Sequence, residues 1–68
     1  MVKDAKRRDI QVGDEVAYTE SRTSGFYFGI VTKISSVSNR VYLRYITYDG
    51  TLSSYEFYKY SENLLVIT

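Results

Sequence analysis

Valine, isoleucine and threonine fill 18 of the 68 positions, against two alanines and four leucines, and eight tyrosines with three phenylalanines add to the same bias. Branching at Cβ stiffens χ1, and aromatic rings pack best on a pleated, half-buried surface, so the chain is expected to be built almost wholly of strands. One small domain is expected, because a chain this short buries only about 60% of the surface its unfolded form exposes. Cysteine, histidine, proline and tryptophan are all absent. Zinc ribbons, disulfide scaffolds, haem proteins, Ser-His-Asp triads and histidine general bases therefore lack their side chains, and no cofactor or metal is expected.

Charge is nearly balanced, with nine basic residues against eight acidic ones, but it is unevenly placed. Lys3, Lys6, Arg7 and Arg8 outnumber Asp4 and Asp9 within residues 1–9, which are polar and without apolar periodicity. That segment reads as a flexible basic N-terminal arm, and residues 10–68 read as the folded body. No apolar run nears the roughly 20 residues a membrane span needs, and no apolar signal region is seen near the N-terminus. A soluble, cytoplasmic protein with no membrane partner is the expectation.

Turn signals divide the body into five strands. Gly13-Asp14 precedes a first strand, Glu15 to Tyr18; Thr19 to Gly25 is a polar loop; Phe26 to Ile34 is the second strand. Gly29 inside it marks a bulge or a bend where two backbones approach closely. Arg40 to Tyr48 is the clearest strand, with Val41, Leu43 and Tyr45 on one face and Tyr42, Arg44, Ile46 and Tyr48 on the other. Asp49-Gly50 suits a two-residue type I′ turn into Thr51 to Tyr58, after which Lys59 to Asn63 makes a helical turn and Leu64 to Ile67 a last strand. Five short strands fit a small closed barrel, which leaves no exposed edges.

Catalytic chemistry has little to work with. The eight carboxylates are scattered, Asp14 and Glu15 do not converge, and Gly13, Gly25, Gly29 and Gly50 match no phosphate-cradling spacing. Tyrosine is the informative excess, because a barrel of this size cannot hide eight of them. Tyr42, Arg44 and Tyr48 share a face of the third strand, and Tyr27 and Lys33 share a face of the second. Bases stack on such rings while cations meet phosphates, although cross-strand tyrosine pairs also stabilise a sheet with no ligand at all. Tyr55, Tyr58 and Tyr60 with Lys59 form a second cluster, either a partner-binding patch or a cover for one end of the barrel. Arg22 is a contact candidate on the polar loop, or a solvated charge.

The segments Ile10 to Tyr18 and Phe26 to Ile34 resemble the opening of SH3-like barrels of the KOW and Tudor groups. Tyr45-Ile46-Thr47-Tyr48-Asp49-Gly50 and Glu62-Asn63-Leu64-Leu65 resemble their later strand, turn and closing segment, so the resemblance spans residues 10–67. A Tudor-like role implies an aromatic cage near Tyr18, Tyr27, Tyr45 and Tyr48 for a methylated lysine or arginine. A KOW-like role implies contacts to RNA, DNA or a polymerase.

The expected function is a non-enzymatic binding module that contacts nucleic acid through Tyr27, Lys33, Tyr42, Arg44 and Tyr48 together with Lys6, Arg7 and Arg8. The alternative is a protein-interaction module docking on a larger protein, as a Tudor-like reader, inhibitor or accessory subunit.

Overall fold

Val16, Ala17 and Tyr18 are all buried in a four-residue strand, β1 (Glu15–Tyr18), and alternate positions are buried along β2 (Tyr27–Ile34), at Gly29 and Val31, and along β3 (Arg40–Ile46), at Val41 and Leu43. A computed structural model describes residues 2–21, 24–35 and 37–67, and adds β4 (Leu52–Tyr60), a 3-10 turn (Ser61–Asn63) and β5 (Leu65–Val66). All five expected strands are present, and the chain is all-β. Among the described residues no helix is long and apolar enough to cross a membrane.

The strands form one antiparallel sheet in the order β4-β3-β2-β1-β5. It is open, with β4 and β5 as its edges, where the strand count suggested closure. The sheet is nonetheless strongly curled. Three strand steps separate β4 from β1, about 14 Å on a flat sheet, yet the rings of Phe57 and Tyr18 lie 5.6 Å apart. Ile10, Val16, Tyr18, Val31, Val41, Leu43, Leu64 and Val66 fill the concave side, with Val2, Ile34 and Phe57 packed against them.

Gly29 permits the curl. A Cβ there would stand 2.7 Å from Leu43 Cδ1 and 2.9 Å from the Arg44 carbonyl oxygen, so only glycine lets β2 lie this close to β3. The bulge itself falls later. Leu43 opposes Val31 and Tyr42 opposes Lys33, which leaves Thr32 as an extra residue. One extra residue reverses the phase of the side chains beyond it. Tyr27 therefore faces inward opposite Tyr18, whereas Lys33 faces outward over Tyr42, and the two do not share a face as the alternation implied.

Two further expectations change. Asp49 has negative φ and Gly50 has φ 90°, while Gly50 N–H donates to Thr47 O (2.9 Å) and Thr47 N–H to Thr51 O (2.7 Å). This is a three-residue loop closed by a left-handed glycine, and the type I′ turn would have required positive φ at both residues. It ends β3 at Ile46, so Tyr48 sits on the loop and not on a strand face.

Residues 2–9, expected as an arm, form a hairpin bonded to the body: Asp4 N–H donates to Arg8 O (2.8 Å), Ala5 N–H to Leu64 O (2.8 Å), and Ile10 N–H to Val2 O (3.0 Å). Asp4, 3% exposed, organises it. Its Oδ1 accepts from the Lys6 and Arg8 amides and its Oδ2 from the Val66 amide (2.9, 2.8 and 2.8 Å). Burial pushes this carboxyl up, but the three amides and the Arg8 charge outweigh it and hold the group below its ordinary value.

Candidate functional site

The convex face of the sheet carries a continuous file of rings and cations. It begins at Lys33, whose Nζ lies 5.1 Å from the centre of the Tyr42 ring. Tyr42 stands opposite Tyr58 across the β3–β4 ladder, with ring centres 5.8 Å apart, and Tyr58 meets Tyr60 edge-on at the same distance. The Arg40 guanidinium lies 4.8 Å over the Tyr58 ring. A hydrogen bond donated to the Tyr42 hydroxyl first, the field of Tyr58 next, and a bond donated to the Tyr60 hydroxyl raise its already high pKa. Cations placed over rings in this way are attracted by the negative π-face. Tyr58 and Tyr60 remain 42% and 44% exposed.

Arg44 stands on this face but directly opposite Glu56, whose carboxylate accepts the Thr32 hydroxyl. The pair is neutral, and the positive charge of the face rests on Lys33 and Arg40 instead. Arg40, Tyr58 and Tyr60 enter the file only because the β3–β4 register sets them together. The signal for it was Arg40 opening a strand that contains Tyr42, but cross-strand partners are not given by a strand's own alternation.

Of the basic residues near the N-terminus, Arg8 is occupied: its Nη1 donates to Val66 O (3.1 Å) and ties the hairpin to β5. Lys6 is exposed. Arg7, with φ 68°, lines a depression of about 380 Å³ together with Lys3, Asn39, Ser61 and Glu62. Asn39 and Ser61 adjoin Arg40 and Tyr60, so Arg7 borders one end of the file. Arg22 lies outside the described residues.

A second aromatic group occupies the open end of the concave face. Tyr18 and Tyr27 stack at 5.8 Å, Phe57 meets Tyr18 edge-on, and Tyr55 stacks on Phe57 at 6.0 Å. Tyr18, Glu20, Tyr45, Tyr55 and Phe57 surround a pocket of about 300 Å³. Lys59 Nζ sits 5.5 Å over the Tyr18 ring and 2.7 Å from Glu20 Oε1. Burial, with the charges of Glu20, Tyr27 and Tyr45, pushes the Tyr18 hydroxyl up to about 12. Of the four expected cage residues, Tyr18 and Tyr45 line this pocket, and Tyr27 stacks on Tyr18. Tyr48, fully exposed, meets Tyr27 and Tyr45 in a neighbouring groove of about 480 Å³ that Phe26, Phe28 and Ile46 also line. Among the described residues, no group of three or more acidic side chains is placed to hold a metal ion.

No curated protein and no solved structure matches the chain. A family model described as a domain of unknown function, DUF7205, matches residues 2–67, nearly the whole chain. The chain belongs to the DUF7205 family.

Proposed function

We propose that the protein is a non-enzymatic module that binds nucleic acid along the convex file, with Tyr58 and Tyr60 as stacking rings and Lys33, Arg40 and Arg7 as phosphate contacts. The observation that carries this reading is the unbroken sequence of contacts from Lys33 through Tyr42, Tyr58 and Arg40 to Tyr60. Stacking on an aromatic is worth about 1–3 kcal/mol per base, and neighbouring cations add the sequence-independent attraction to the backbone. The sheet order, with β1 between β2 and β5, supports an SH3-like reading of the fold. The deciding experiment is anisotropy of a labelled oligonucleotide across a salt series. Two or three phosphate contacts predict a log-log slope of about −1.4 to −2.1 for a single strand, at about −0.7 per contact. Arg40→Ala should make the slope shallower by about 0.7, and Arg44→Ala should change it little. Undetectable or salt-insensitive binding would reject the proposal.

The concave pocket supports a second reading, a protein-docking module of the Tudor-like kind. Tyr18, Tyr45, Tyr55 and Phe57 with Glu20 at the rim suit a cationic side chain from a larger protein. Chemical-shift changes confined to these residues on adding a methyl-lysine peptide would support it, and their absence would dismiss it.

A further inference from the structure

The longest strand, β4, lies at an edge, and the direction of its backbone groups follows from two turn bonds. Ser61 N–H donates to Asn39 O and Ser35 N–H donates to Arg40 O, both at 2.9 Å. Along β3, odd-numbered residues therefore bond toward β4 and even-numbered ones toward β2. The even residues Arg40, Tyr42 and Arg44 oppose Tyr60, Tyr58 and Glu56. The N–H and C=O groups of those three β4 residues consequently point away from the sheet, while those of Phe57 and Lys59 close the ladder to β3.

Exposed edges are usually guarded by proline, a bulge or an outward lysine. From Glu56 to Tyr60 the β4 register is regular and has no proline, and its lysine, Lys59, is turned to the concave face and held by Glu20. We infer that this edge pairs antiparallel with the same edge of a second copy of the chain, about a two-fold axis at Phe57.

Charge selects both the occupant and the register. Outward-pointing groups must meet, so even residues oppose even residues, and within the regular stretch the axis can fall at any residue from Glu56 to Tyr60. An axis at Glu56 sets two carboxylates against each other. An axis at Tyr58, Lys59 or Tyr60 sets the rings beside Arg40 against each other, base against base. An axis at Phe57 places Glu56 of each copy opposite Tyr58 of the other, the ring over which Arg40 lies. Arg40 Nε is a buried donor with no acceptor among the described residues, and the opposing Glu56, exchanging the Thr32 hydroxyl that it accepts within its own copy, brings a carboxylate to the ring beside it. Acid meets base twice, as a self-complementary two-fold interface requires. This seam does not depend on the nucleic-acid reading.

Sedimentation equilibrium of the full chain from micromolar to millimolar concentration, with amide exchange followed by NMR, tests it. The mass should double as concentration rises. The Glu56 and Tyr58 amides should gain protection in step with dimer, while Phe57 and Lys59 stay slow throughout. Glu56→Arg should weaken association at least tenfold, and Arg40→Glu with Glu56→Arg should restore it; unchanged protection of Phe57 and Lys59 confirms that each variant is folded. A chain monomeric to about 1 mM would overturn the inference. So would a dimer whose Glu56 and Tyr58 amides exchange as in the monomer, or edge protection that arises only on adding a foreign extended peptide.

Discussion

Lys59 Nζ lies 2.7 Å from Glu20 Oε1 and 5.5 Å above the Tyr18 ring, so one side chain of the edge strand β4 reaches across the concave face to the segment that follows β1. Both partners are partly exposed, which limits the ion pair to about 0.2–1 kcal/mol. The lysine stem over the ring adds packing that does not need the charge. Glu20→Gln should therefore cost under about 0.5 kcal/mol and Lys59→Ala about 1–2 kcal/mol, with Lys59→Met nearer the parent. Urea unfolding of the three variants measures this directly.

The Asp4 carboxylate is the acceptor on which the N-terminal hairpin rests. In Asp4→Asn, at least one of the three amide donors faces an NH₂ group whichever way the side chain is turned. A loss of about 2–3 kcal/mol is expected, a large share of the roughly 3–10 kcal/mol available to a domain of this size. Because its pKa is lowered on folding, Asp4 contributes stability above about pH 4 that is lost as pH falls through the folded value. The acid limb of a stability-pH curve should accordingly be flatter in Asp4→Asn than in the parent.

Tyr18 produces the opposite limb. Its hydroxyl moves from 10.0 to about 12 on folding, chiefly through burial. The stability it contributes is complete below about pH 10 and is lost as pH rises through 12. Spectrophotometric titration should show a tyrosine step near pH 12, and Tyr18→Phe should remove that step while keeping the ring contacts.

Arg7 occupies the place in the loop closed by Asp4 and Arg8 that Gly50 occupies in the loop closed by Thr47 and Thr51, and both have positive φ. A non-glycine residue there costs about 1–2 kcal/mol, part of which glycine returns as chain entropy. Arg7→Gly should leave the protein as stable or up to about 1 kcal/mol more stable. Arg7→Ala, which keeps the strain, should not. Thermal midpoints of the two variants separate backbone strain from the loss of charge, which both share.

The strands were legible because their signals are local. Val41 and Leu43 alternate with Tyr42 and Arg44, Gly29 interrupts an apolar run, and Gly50 closes a turn, and each of these needs only a few neighbouring residues. Asp4 was not legible. Within residues 1–9 it is one of two acids among four bases, and the Val66 amide that its carboxylate accepts lies 62 positions away.

The composition by itself determined an all-β chain with more tyrosine than its interior can hold, because branched and aromatic side chains demand a pleated surface whatever their partners. Which tyrosines meet which charges was decided by the tertiary structure alone. One extra residue at Thr32 turns Lys33 outward onto Tyr42, and the β3–β4 register lays Arg40 over Tyr58 and sets Arg44 against Glu56. Register is a property of two strands at once, and a single residue of slip exchanges the faces of everything beyond it.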